Sequence, residues 1–251
     1  MSTPVLATRG LDKSFGSLVV ARNIEIALPQ GVRYALIGPN GAGKTTLINL
    51  MTGMLRPDAG QIMLGDADIT ALGPEERVRR GLVRTFQINS LFPHLNPLEA
   101  VTLVICERDK IARTFWRTTA DYRAAIDEAS SILNSLMLGP VCYRETRHLA
   151  YGQQRLLEIA LALATKPKVL LLDEPAAGVP REESPELFTA INSLSQDITI
   201  LFIEHDMELV FRLASRIIVM VGGAILLEGT PPEIAADPRV REVYLGGAQH
   251  G

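Results

Sequence analysis

Hydrophobic positions change their spacing several times along the chain, and each change predicts a different kind of element. From Val5 to Asn23 short apolar runs are broken at Gly10 and Gly16; Ile24, Ile26 and Leu28 then alternate with Glu25 and Ala27 before the turn at Pro29-Gln30-Gly31. Alternation bounded by turn residues predicts antiparallel strands, a β layer at the start of the chain. Tyr34-Ala35-Leu36-Ile37 is an uninterrupted apolar run, and Leu47, Leu50, Met51 and Met54 recur behind it at helical spacing. Arg56 to Gly60 punctuates, and Gln61 to Leu64 reads as a short strand. Glu75 to Arg84 reads as a charged helical stretch, for which a solvated face is the default place of Arg77, Arg79, Arg80 and Arg84.

The second half is more regular. Leu98 to Leu138 is helix-rich, with Pro97 as its start and Gly139-Pro140 as its stop. Leu156, Leu157, Ile159, Ala160, Leu161, Leu163 and Ala164 make an apolar helix that ends before Pro167. Val169-Leu170-Leu171-Leu172 has the continuous pattern of a parallel strand buried on both faces, and Ile198 to Ile203 repeats it. Ile217 to Val221, Gly222-Gly223 and Ala224 to Leu227 predict a closing hairpin, and Pro231 to Leu245 a helical tail.

Composition narrows the class. With 251 residues and 47% hydrophobic content the chain can pack an α/β core. A net charge of −3 supplies no basic field for a dedicated nucleic-acid partner. Cys106 and Cys142 lack metal-ligand spacing and read as inert thiols of a reducing compartment. The first ten residues lack a signal-type apolar segment, and no run reaches about eighteen apolar residues, so a membrane role would come through partners.

The chemistry begins with Gly38-Pro39-Asn40-Gly41-Ala42-Gly43-Lys44-Thr45-Thr46, which fits G-x-x-x-x-G-K-[ST] between a strand and a helix. Glycines let such a loop curl around an anion, and the helix start presents free N–H groups and a positive dipole end. Lys44 is then placed for β- and γ-phosphates and the Thr45 hydroxyl for Mg²⁺. Two further strands deliver Asp173-Glu174 and Glu204-His205-Asp206 to what would be the same sheet edge, where doubly wound folds bind ligands. Asp173 is the metal-side carboxylate, and Glu174 is placed to orient or deprotonate an attacking water, which favours hydrolysis over transfer. A strand-end histidine such as His205 is ordinarily structural, and Phe15, beside the Gly16 turn, ordinarily belongs to a core.

The ordered set of phosphate loop, Gln87, Leu149-Ala150-Tyr151-Gly152-Gln153, Asp173-Glu174 and His205 resembles the nucleotide-binding subunits of ATP-binding cassette (ABC) transporters from Phe15 to about Leu245. The resemblance implies an α/β fold: a RecA-like P-loop core with an antiparallel β subdomain and an inserted α-helical subdomain. Residues 1–87 and 165–232 would form the β layer and core, 88–164 the helical subdomain, and 233–251 a C-terminal helical tail. It further implies a Mg²⁺-dependent ATPase in which Phe15 stacks on adenine, Gln87 joins Thr45 and Asp173 around the metal, and His205 meets the γ-phosphate. Ala150, Tyr151, Gly152 and Gln153 would cap ATP held by an opposing ATPase subunit, identical or related. The implied partners are transmembrane permease subunits on the cytoplasmic face of the plasma (inner) membrane and, indirectly, a periplasmic or extracellular solute-binding protein; nucleic acid is not among them.

Two positions depart from the family pattern. Ala150 stands where a serine is usual, removing a hydroxyl donor worth roughly 1.5–3 kcal/mol toward a charged group. Pro180 follows Ala176-Ala177-Gly178-Val179 where Asp or Asn is common, which suggests altered communication between paired sites. Leu149 to Arg155, Glu174 to Gly178, Glu204 to Met207 and the ending from Glu228 most resemble the ATPases of branched-chain amino-acid importers. Urea/amide importers and lipopolysaccharide-export ATPases share parts of this pattern, and a soluble non-transport ABC ATPase is the reading from another class. A GTPase is disfavoured because no Asn-Lys-x-Asp motif occurs.

Overall fold

The computed structural model describes residues 3–85, 91–111, 119–180 and 182–245. It divides into two compact units, one of residues 1–82, 168–175 and 195–251 and one of residues 83–167 and 176–194.

In the first unit, strands β1 (Leu6–Phe15), β2 (Leu18–Leu28), β4 (Ala59–Leu64) and β5 (Ala67–Asp68) form an antiparallel sheet in the order β2-β1-β4-β5. On β2, Ile24, Ile26 and Leu28 are buried while Glu25 and Ala27 face water, the alternation expected of a sheet with one covered face. A second sheet has the order β10-β9-β3-β8-β7-β6, from β3 (Arg33–Ile37), β6 (Leu82–Arg84), β7 (Val169–Asp173), β8 (Thr199–Ile203), β9 (Arg216–Val221) and β10 (Ala224–Gly229). Strands β9, β3, β8 and β7 run parallel, and every residue of β3 and β8 is buried, which is why their sequences read as unbroken apolar runs. The hairpin β9–β10 closes one edge antiparallel.

Helix α1 (Lys44–Thr52) follows β3 and buries Leu47, Ile48, Leu50 and Met51 in the core that also holds Leu6, Ile24, Leu36 and Ile62. It ends earlier than the spacing of apolar residues predicts: Gly53 turns left-handed at φ 78°, and Met54 lies beyond the helix, 68% exposed. The charged stretch behind it also differs from the expectation of a solvated face. Arg79 of helix α2 (Pro74–Arg79) and Arg80, its C-capping residue, point outward in ion pairs with Glu75 and Glu76, and Arg84 belongs to β6. Arg77, however, is 1% exposed. Its guanidinium donates to the carbonyls of Leu50 (2.7 Å), Met51 (2.6 Å), Thr70 (2.9 Å) and Leu72 (2.9 Å). A cation therefore sits on the last carbonyls of α1, the negative end of that helix.

The second unit is helical, built from α3 (Pro97–Arg108), α4 (Thr119–Ser135), α5 (Tyr151–Ala164) and α6 (Ser184–Asn192). Helix α3 starts as its sequence predicts, with Pro97 at the first position and a reciprocal box in which Asn96 accepts from Glu99 N–H and Glu99 from Asn96 N–H. Val101, Ile105, Ala129, Leu133 and Leu157 are buried among the helices. Arg108 donates to the Ala164 carbonyl at the end of α5 and pairs with Glu128 at 2.7 Å, so the same device, an arginine on helix-end carbonyls, recurs here. Cys106 is buried and both cysteines are free. Short helices α7 (Met207–Leu213), α8 (Pro231–Ala236) and α9 (Pro238–Leu245) complete the first unit. Among the described residues no helix is long and apolar enough to cross a membrane.

Candidate nucleotide site

The end of β3 delivers the chain into the loop from Gly38 to Gly43. Gly38, Gly41 and Gly43 all take positive φ, at 155°, 79° and 101°. Two of these glycines are forced by their neighbours: a Cβ at Gly38 would collide with the Met220 carbonyl, and one at Gly43 with the Val20 carbonyl. At Gly41 the space is open on the side where a Cβ would stand. The loop thus needs glycine both to turn and to lie against β2 and β9. Pro39 accepts from Ala42 N–H (3.2 Å), fixing the turn of which Asn40 is part, and Gly43 caps α1.

Lys44 is 7% exposed, and its ammonium donates to the Gly38 carbonyl at 2.7 Å and the Pro39 carbonyl at 3.0 Å. Burial pulls its pKa down, while the nearby Glu174 and Asp173 carboxylates pull it up. The side chain is consequently a desolvated cation laid along the loop, facing the acidic end of β7. Thr45 is exposed and Thr46 half-buried in the first turn of α1.

Asp173 ends β7 half-buried, paired in register with Ile203 of β8. The next residue carries a feature that the sequence does not display: Glu174 has φ +50°, a left-handed conformation that costs a non-glycine residue roughly 1–2 kcal/mol. Its N–H donates to the Ile203 carbonyl (3.1 Å), and its Oε1 lies 2.7 Å from His205 Nε2. The strained turn aims the carboxylate across to the end of β8, where His205 meets it. Asp206 beside it caps α7, accepting from Glu208 N–H at 2.9 Å.

Phe15 closes β1 and is 52% exposed, with the Lys13 ammonium 5.6 Å from the ring centre, so its residue-by-residue assignment to a core is overturned. A half-exposed flat ring at a turn offers a stacking surface. Gln87 lies outside the described residues.

In the helical unit, Ala150 is the N-cap of α5, and its N–H donates to Gln153 Oε1 at 3.1 Å. Gly152 N–H donates to Glu183 Oε2 at 2.9 Å. Tyr151 packs against the turn after Glu174: a Cβ at Gly178 would stand 2.9 Å from its hydroxyl oxygen, and Gly178 has φ +76°. Arg155 lies 5.6 Å from the Tyr151 ring centre, donates to the Ala177 carbonyl (3.3 Å) and pairs with Glu158 at 2.9 Å. Glu158 is 5% exposed; burial pushes its carboxyl up to about 7 against the downward pull of Arg155. Sequence reasoning did not single out Arg77, Arg155, Glu158 or Glu183 as partners in these contacts. Apart from the Arg155–Glu158 pair, three residues apart on α5, each acts on a backbone group brought near only by folding.

The donors near the phosphate loop suit a hard cation that completes its shell with phosphate oxygens. Thr45 offers a hydroxyl and Asp173 a carboxylate, and among the described residues no cluster of three or more His, Cys, Asp or Glu side chains could hold a metal ion unaided.

Comparisons with known proteins agree over the whole length. Residues 21–177 match the ABC transporter family, and residues 224–250 match the family described as branched-chain amino acid ATP-binding cassette transporter. The chain is 40% identical over 257 residues to the high-affinity branched-chain amino acid transport ATP-binding protein LivG of Salmonella typhimurium, covering 99% of this chain and 100% of that protein. Against BraF of Pseudomonas aeruginosa, a protein of the same description, identity is 38% with the same coverage. A solved ATP-binding cassette of an ABC transporter in its ADP conformation matches with a TM-score of 0.84 at 32% identity, covering 98% of this chain and 100% of that one. With a phosphate loop, a paired Glu-His at the adjoining strand ends and this likeness in hand, the chain belongs to the ABC transporter family, as one of its ATP-binding subunits.

Proposed function

We propose that this subunit hydrolyses ATP to drive an importer of branched-chain amino acids, working as one of two ATPases against transmembrane permease subunits at the cytoplasmic face of the membrane. The amino-acid cargo is supported by the descriptions of LivG and BraF and by the match of residues 224–250. The observation that carries the chemistry is the Glu174–His205 pair, 2.7 Å apart beside the loop that holds Lys44.

In this reading ATP lays its adenine on Phe15 and its phosphates in the amides of residues 38 to 46. The Lys44 ammonium leaves the Gly38 and Pro39 carbonyls for phosphate oxygens, exchanging neutral acceptors for charged ones. Glu174 accepts a hydrogen bond from the attacking water and takes its proton as the water oxygen bonds to the γ-phosphorus and the bond from that phosphorus to the bridging β-phosphate oxygen breaks, leaving ADP and inorganic phosphate. His205 holds that carboxylate in place and can turn to the γ-phosphate. Thr45 and Asp173 would hold Mg²⁺, which would offset the charge of the phosphates. In a second subunit facing this one, Gly152 and its neighbours contribute the positive end of α5 to the same γ-phosphate. Solute capture belongs to a separate binding protein.

Glu174→Gln tests the assignment. The variant should bind ATP with the parent's affinity, accumulate as an ATP-bound dimer, and hydrolyse at least 100-fold more slowly, the scale of a positioned general base. Hydrolysis at the parent's rate would remove Glu174 from the chemistry.

A further inference from the structure

Both hydrogen-bond donors that the start of α5 offers from Ala150 and Gly152 are already satisfied by the chain's own acceptors, and one of these acceptors is charged. Gly152 N–H donates to the Glu183 carboxylate at 2.9 Å. The fit is close: a Cβ at position 152 would lie 2.5 Å from Glu183 Oε2, so the carboxylate can sit there only because the residue is glycine. Glu183 is half-buried and is the residue before α6. Its own N–H donates to the Pro180 carbonyl at 3.0 Å, and Ser184 adds a second N–H (3.1 Å) and its hydroxyl (3.2 Å) to that oxygen. The turn from Ala176 to Pro180 is thereby tied to the carboxylate, while Arg155 and Tyr151 hold the Ala177–Gly178 end of it. Ala150 has no hydroxyl with which to offer an incoming anion a donor beside the amide.

We propose that Glu183 is a built-in competitor for the γ-phosphate. It occupies the Gly152 amide with a negative group of the same hydrogen-bonding type, and ATP closes the paired subunits only by displacing it. This rests on the reading above in which Gly152 faces the ATP of a second subunit. A carboxylate and a phosphate cannot share one N–H, and their like charges repel, so the Pro180-anchored turn must shift as the phosphate arrives. The ATP concentration needed for pairing is therefore set partly by how firmly Pro180 and Ser184 hold Glu183.

The test uses the full chain in a Glu174→Gln background, so that ATP persists, with ATP-driven dimerisation followed by sedimentation. Adding Glu183→Ala should lower the ATP concentration at half-maximal dimerisation roughly tenfold, the scale of a competing hydrogen bond to a charged group. Glu183→Gln, which keeps the acceptor and removes the charge, should fall between. Binding of a fluorescent ATP analogue by the monomer should not change. If Glu183 were only a cap for α5, its loss would leave the ATP requirement unchanged or raise it, and either result overturns the proposal. Should Glu174→Gln itself fail to dimerise with ATP, pairing of two copies of this chain falls, and the competition proposed between them falls with it; the single variant separates that failure from the other.

Discussion

Replacing Arg77 by methionine keeps most of the side chain's volume and removes its charge and its donors, which isolates what a buried guanidinium does for the phosphate-binding helix. Four hydrogen bonds disappear, to the carbonyls of Leu50, Met51, Thr70 and Leu72. The Leu50 carbonyl also accepts from Gly53 N–H, so it keeps a donor, and the substitution bears on the other three. Leaving a buried polar group without its partner costs about 1–3 kcal/mol each, giving a gross loss of about 3–9 kcal/mol. Burying the guanidinium is itself unfavourable, as the lowering of its pKa by desolvation indicates, and several kcal/mol of that penalty is recovered on substitution. The net expectation is a loss of about 3 kcal/mol. Urea unfolding followed by circular dichroism should show a lower midpoint at unchanged slope, and amide exchange should accelerate in the last turn of α1. Arg77→Lys should recover only part of the loss, because one ammonium cannot span carbonyls arranged for a planar fork. Stability within about 0.5 kcal/mol of the parent, with exchange in α1 unchanged, would refute the view that this arginine terminates the helix.

Glu158 predicts a pH dependence. Its carboxyl ionises near 7 in the folded chain and at the ordinary value near 4.5 in the unfolded one, so the folded state holds its proton longer. The stability it contributes is full below about 4.5 and is lost as the pH rises through 7, by up to about 3 kcal/mol. Glu158→Gln should flatten that part of the stability profile, and a parent profile without a decline between pH 4.5 and 7 would count against the burial argument. Phe15→Ala should weaken ATP binding roughly tenfold, within the range for losing one base–aromatic stack. Because Phe15 is half exposed, thermal unfolding should stay within a degree or two of the parent.

The strands were legible because their environment is uniform. Every residue of β3 and β8 is buried, so the chain must be apolar without a break, and a window of five residues contains the evidence. The phosphate loop was legible for a related reason: its chemistry lies within nine consecutive positions, and the glycines that the turn requires are spelled out in order. The length of α1 was less so, since Met54 continues the apolar spacing while Gly53, left-handed and packed beside Arg77, ends the helix one residue earlier.

The remaining misses share one cause. Charge in a sequence is read as surface, because an ion buried alone is costly, but the cost vanishes from view when folding supplies the counterpart. Arg77 finds a helix end and Glu183 finds the Gly152 amide, each across a separation that no local window spans. Glu174 is the same lesson in the backbone: its left-handed φ places the carboxylate against His205, thirty-one residues away, and nothing in the pair Asp173-Glu174 announces it. The sequence motif names the groups proposed to do the chemistry. Their aim is set by charged and strained residues whose partners exist only in the folded chain, which is why the tests that discriminate most sharply here fall on Arg77 and Glu183 as much as on the loop.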